Sequence, residues 1–192
     1  MEKEDRALII FSAIFVVSLV LTLTGGMTGR ATEQFTKSNV TIEKYLSITL
    51  STNLQEGIDF GTVVSLPMND VNASHNWDGD LSRTTMWVNS SLDGNTAIDF
   101  CIKASGNLET EGMDIIGLGN ETYSYSTTNN ATLPAGPDGS TSLTQSYVKT
   151  DTNVAKGVAE NFRFWLDLIA ALPAGTYNNT VYFKGVPTGN SC

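Results

Sequence analysis

Alternation with period two dominates the chain from residue 40 onward. Val40, Ile42, Leu46, Ile48 and Leu50 share one face of the run 40–50, Thr41, Glu43, Ser47 and Thr49 share the other, and Lys44 interrupts the apolar side. This spacing predicts a strand, Val40 to Leu50, with one face toward a core. Further strands are predicted over 59–64, 84–88, 97–104, 122–126, 162–168 and 176–186, separated by turn signals such as Asp93-Gly94-Asn95 and Pro173-Ala174-Gly175. In 97–104, Ile98, Phe100 and Ile102 point one way and Asp99, Cys101 and Lys103 the other. In 162–168, Phe162, Phe164, Leu166 and Leu168 form the apolar face, opposite Arg163, Trp165 and Asp167. The last strand groups Tyr177, Val181 and Phe183 and turns Asn178, Thr180 and Lys184 outward. Many short strands without a convincing soluble helix predict an all-β class, an antiparallel sandwich or jelly roll, with 129–142 as a surface loop.

Upstream the pattern changes. Ala7 to Leu23 carries no charge and is bounded by Arg6 before and by Gly25, Gly26 and Arg30 after. A helix needs about 20 residues to cross a bilayer, so the span is either a long signal core or a short anchor. Gly29 and Ala31 provide the small residues a signal peptidase recognises, which would leave Thr32 as the mature N-terminus. Retention of the helix is the alternative, and Arg6-Ala7 resembles the prepilin peptidase site of type IV pilins, which would also retain it. The predicted organisation is a signal peptide or membrane anchor over 1–31, an extended segment over 32–39 and a β domain over 40–192. The membrane enters as a partner during export or through an uncleaved helix.

Composition narrows the function. With 11 Lys+Arg against 20 Asp+Glu the formal net charge is −9, and no cluster of basic residues exists to neutralise a phosphate backbone, so nucleic acid is excluded as a partner. One His and two Cys leave little for metal or nucleophilic chemistry. His75 has no second His or nearby Cys, and no G-x-S-x-G elbow occurs. The loop with Asn72, Ser74, Asn76, Asp78 and Asp80 offers oxygen ligands but holds Thr85 where an EF-hand would close with Glu. The acidic residues fall mostly at turns or on polar strand faces, where a carboxyl keeps its ordinary acidity. Trp77, Trp87 and Trp165 read as packing aromatics before they read as a sugar-stacking face. No enzyme activity, cofactor or metal is expected.

Export gives the remaining polar residues a meaning. Asn-x-Ser/Thr acceptors stand at Asn39, Asn72, Asn89, Asn120, Asn130 and Asn178, and outside the membrane several are expected to carry glycans. Cys101 and Cys192 are the only thiols, and in an oxidising compartment such a pair reads as a disulfide, with intermolecular pairing as the alternative. Closing a loop of about 90 residues is worth roughly 4 to 5 kcal/mol in the chain-entropy model, and it would pin down the C-terminal strand.

The blocks SITLSTNLQEGIDFG (47–61), AIDFCIKASGNL (97–108), ENFRFWLDL (160–168) and PAGTYNNTVYFKGV (173–186), with the terminal Cys192, resemble an exported archaeal β-sandwich surface protein family. The layout of leader, opening strand and closing A-G-T-Y strand is also similar to TasA/camelysin-like filament subunits and archaeal bundling pilins. That resemblance implies a jelly-roll subunit lacking one strand and receiving the N-terminal segment of a neighbouring copy, which would cover an open sheet edge by β-augmentation. The implied function is a structural subunit of an extracellular filament or cell-envelope layer, a homopolymer at the cell surface. Phe35, Val40 and Ile42 are the expected self-assembly residues. The alternative is a membrane-anchored surface binding or adhesion module.

Overall fold

The computed structural model describes residues 12–16, 36–76, 84–126 and 136–192. Contacts divide the chain into 1–41 and 42–192. In the first unit, 12–16 is helical and 36–41 forms no regular secondary structure. Among the described residues no helix is long and apolar enough to cross a membrane. The leader or anchor expected over 1–31 lies largely outside them.

The second unit is mostly β, and every strand pair is antiparallel. Its larger sheet runs β1 (Ile48–Leu50), β3 (Trp87–Ser90), β10 (Ala159–Leu168), β7 (Glu121–Ser126) and β8 (Thr141–Ser142), with β2 (Met68–Asn72) pairing to the C-terminal part of β10. The second sheet runs β11 (Val181–Pro187), β4 (Ile98–Ala104) and β9 (Val148–Val154), and β5 (Leu108–Glu109) pairs with β6 (Ile115–Ile116). Met86, Val88, Tyr123, Phe162 and Phe164 of the larger sheet region and Ile98, Phe100, Ile102 and Val154 of the smaller sheet belong to one buried cluster. Phe162 meets Phe183 of β11 edge-on at 5.2 Å between ring centroids, a geometry that adds about 1 kcal/mol to the burial itself. Gly185 allows the close approach of this region, since a Cβ there would lie 2.8 Å from Ile48 Cγ2 and 3.2 Å from Ile98 Cδ1.

Several expectations are corrected. The strand predicted over 40–50 is a strand only at Ile48–Leu50, and the one over 59–64 is not a strand. Alternation alone does not supply a ladder partner: Gly61 N donates to Asp59 Oδ1 at 2.8 Å and Asp59 O accepts from Ser74 N at 2.8 Å, without a continuous ladder. The strand predicted over 84–88 lies at Trp87–Ser90, and the last strand begins at Val181 rather than Thr176. A helical turn, Thr52–Glu56, follows β1 because Ser51 Oγ accepts from Leu54 N at 3.2 Å, an N-cap. Ser142, assigned to a loop, pairs with Thr122 in the larger sheet.

The outward strand faces are also covered. Asp99 and Cys101 are each only 1% exposed because the C-terminal tail folds over the outer face of β4. Gly189 N donates to Asp99 Oδ2 at 3.1 Å, Lys149 Nζ donates to Asn190 O at 3.0 Å, and Cys101 bonds Cys192 with Cα atoms 6.1 Å apart. The disulfide therefore pins the tail beyond β11. Burial favours the neutral form of Asp99, but Lys149 Nζ at 2.6 Å and the backbone N–H groups of Asn153 and Gly189 outweigh it and hold its pKa at about 2. Arg163 and Trp165 are likewise buried, and Trp165 Nε1 donates to Asn72 Oδ1 at 2.9 Å.

Candidate functional site

Among the described residues β11 and β9 each pair with β4 alone, so both edges of the smaller sheet lack a strand partner, and the β11 edge is the one that adjoins a pocket. An unpaired edge presents a row of backbone donors and acceptors to any extended chain that reaches it. Val181 and Phe183 of β11 also line a groove of about 760 Å³, to which 57–64 and 172–180 contribute. Leu108, Ile116, Leu166, Leu168, Val181 and Phe183 supply much of its apolar lining. The first four form their own buried cluster, with Phe60, Val63, Leu172 and Tyr177 packed against it. The walls are fixed by hydrogen bonds: Tyr177 Oη donates to Pro173 O at 2.8 Å, and Asn178 and Glu109 exchange backbone bonds at 3.0 and 3.1 Å. Exposed apolar residues continue from the lining, with Val64 at 94% and Leu66 at 40%.

Two acids, Asp59 and Glu121, belong to the lining, and one of them is buried. Glu121 is 1% exposed and accepts from Asn179 Nδ2 at 2.6 Å. Burial pushes its carboxyl pKa up, and the Asn179 hydrogen bond opposes the shift. A second buried acid, Glu160, lies in the core, where its Oε2 accepts from Thr150 Oγ1 at 2.9 Å and burial raises its pKa to about 8. The expectation that acids keep to turns and polar faces fails at both positions. Strand parity held the signal: Glu160 is in phase with Phe162 and Phe164, and Glu121 with Tyr123 and Tyr125.

The expected site residues fall in different places. Val40 and Ile42 are each 80% exposed, whereas Leu46, Ile48 and Leu50 of the same alternating run pack against the core. Phe35 and Asn130 lie outside the described residues. Of the other glycan acceptors, Asn39, Asn72 and Asn178 are exposed and Asn89 and Asn120 are half-buried. In the oxygen-rich loop, Asn76 is fully buried, donating from Nδ2 to Phe164 O at 2.7 Å and accepting at Oδ1 from Phe164 N at 2.9 Å. Its amide thus stands in for a ladder partner of β10, while Asp78 and Asp80 lie outside the described residues. His75 Nε2 lies 3.6 Å from Glu56 Oε2, and no group of three His, Cys, Asp or Glu residues suited to a metal occurs among the described residues.

No protein-family model matches the chain, and no curated protein matches it significantly.

Proposed function

We propose that this chain is an exported structural subunit, a β-sandwich of jelly-roll type lacking one strand, that polymerises at the cell surface by inserting the N-terminal segment of one copy into the groove beside β11 of the next. The observation that carries this reading is the division of a single alternating run: Val40 and Ile42 stand exposed, while Leu46 to Leu50 are packed into their own core. Apolar side chains exposed on an irregular N-terminal segment and an apolar groove near an unpaired edge are complementary needs. One copy satisfies them for another by β-augmentation. Because the donating and receiving surfaces differ, the contact repeats head to tail and makes a fibre instead of a closed dimer. The Cys101–Cys192 bridge is in keeping with an oxidising, extracellular setting.

Replacing Ile42 with Asp tests the reading. The variant should fold, because Ile42 is 80% exposed, yet remain monomeric, since a carboxylate entering an apolar groove costs several kcal/mol. Sedimentation and negative-stain imaging of surface material distinguish the outcomes, and filaments from the Asp variant at wild-type abundance would remove the basis of the proposal.

A further inference from the structure

The geometry points to Glu121 and Asn179 as the pair that sets the register of the incoming strand, by taking the Ser38 hydroxyl of a second copy while that copy's Val40 and Ile42 fill the apolar remainder of the groove. This rests on the donor-strand reading and names the residues that decide where the strand stops.

Glu121 differs from the other acid of the groove. Asp59 is an exposed wall residue whose Oδ1 already caps Gly61 N at 2.8 Å. Glu121 is 1% exposed, and among the described residues its carboxyl has Asn179 as its side-chain partner, on Oε2. Asn179 is held from two sides, because the same Nδ2 donates to Gly106 O at 3.2 Å and to Glu121 at 2.6 Å. A fixed polar pair in an apolar lining rewards a polar side chain at one place and penalises an aliphatic one there, since an unpaired buried polar group costs more than a hydrogen bond gains. A hydroxyl suits the carboxyl in either protonation state because it both donates and accepts.

The donor carries the matching pattern. Residues 36, 38, 40 and 42 share a face by period two, reading Thr36, Ser38, Val40, Ile42. Ser38 is the polar position next to the apolar pair. A slip of two residues toward the N-terminus would set Thr36 against the acid and push Ser38 into apolar surroundings; a slip the other way would press Val40 onto the acid. Both mismatches are disfavoured, so the pair specifies one register.

The test uses protein recovered from the surface of cells expressing the full chain, with the critical concentration for polymerisation read by sedimentation. Ser38→Val should raise it about tenfold, Ser38→Thr and Glu121→Gln should stay near wild type, and Ser38→Val combined with Glu121→Leu should recover most of the loss, a coupling that independent sites do not show. Equal behaviour of Ser38→Val and Ser38→Thr would overturn the proposal even if Glu121→Leu does not fold. So would simple multiplication of the two single effects. Ile42→Asp separates the two levels: if it abolishes polymer while Ser38→Val changes nothing, the register proposal falls alone, and if it polymerises normally, the donor-strand reading and the proposal fall together.

Discussion

Replacing Glu160 with Gln should convert a pH-sensitive fold into a less sensitive one. Glu160 has no exposed surface and, among the described residues, its carboxyl takes a hydrogen bond from Thr150 Oγ1 on Oε2 while its Oε1 has no partner. Burial raises its pKa from 4.5 to about 8, with the Thr150 bond opposing and the charge of Asp151 adding to the rise. Tyr123 and Tyr125, both shifted upward by burial and by Glu160, also face it. The folded state therefore binds the proton more tightly than the unfolded chain does. The stability this confers is complete below about pH 4.5 and is lost as pH rises toward and through about 8. Between pH 6 and pH 9 these two pKa values imply a loss of about 2–3 kcal/mol from this group. Gln keeps the shape and an acceptor for Thr150 but does not titrate. Urea denaturation of both proteins at the two pH values, compared as a difference, cancels every other titrating group. The stability difference should shift in favour of Gln by about 2–3 kcal/mol on going from pH 6 to pH 9. A difference that does not change with pH would refute the assignment of Glu160 as a buried acid that is neutral near pH 7.

Three other substitutions probe separate parts of the frame. Gly185→Ala should cost about 1–3 kcal/mol by thermal or denaturant melting, because the new Cβ would lie 2.8 Å from Ile48 Cγ2; a neutral outcome would mean that β1 does not pack tightly on β11. Replacing Cys101 and Cys192 together by Ala should lower stability by about 2–5 kcal/mol, given the 91-residue separation, and should increase protease cleavage in the tail after Pro187. Asn76→Ala should cost about 1–3 kcal/mol by denaturant melting, because in a fully buried place it removes the acceptor Asn76 Oδ1 offers Phe164 N and one of the two donors to Phe164 O, the other being Ala73 N at 3.1 Å.

How much of this was legible in the sequence depends on what each element needs from afar. The strands 98–104 and 162–168 were readable because their inward faces are Ile, Phe and Leu at every second position, and parity survives any tertiary context. The strand at Val148–Val154 was not, since VKTDTNV has no clean apolar alternation and is held as an outer strand by pairing with β4. The run 59–64 failed in the opposite way: Phe60, Val63 and Val64 are apolar and strand-like in composition but form no strand and line a groove instead. The disulfide was readable because two cysteines allow only one intramolecular pair. The groove was not, because 57–64, 108–116 and 172–181 meet only in space. Its acid might have been found by extending the Tyr123, Tyr125 parity back to Glu121, a step the general rule that acids face solvent discourages.

Cross-linking tests the central claim most directly. A photoreactive phenylalanine analogue placed at Ile42, in protein recovered from the cell surface and irradiated as polymer, should form adducts between copies at the groove residues Leu108, Ile116 and Leu168, identified by peptide mass spectrometry of mixed isotope-labelled chains. Adducts confined to a single copy, or adducts between copies that avoid the groove, would contradict assembly by strand insertion beside β11.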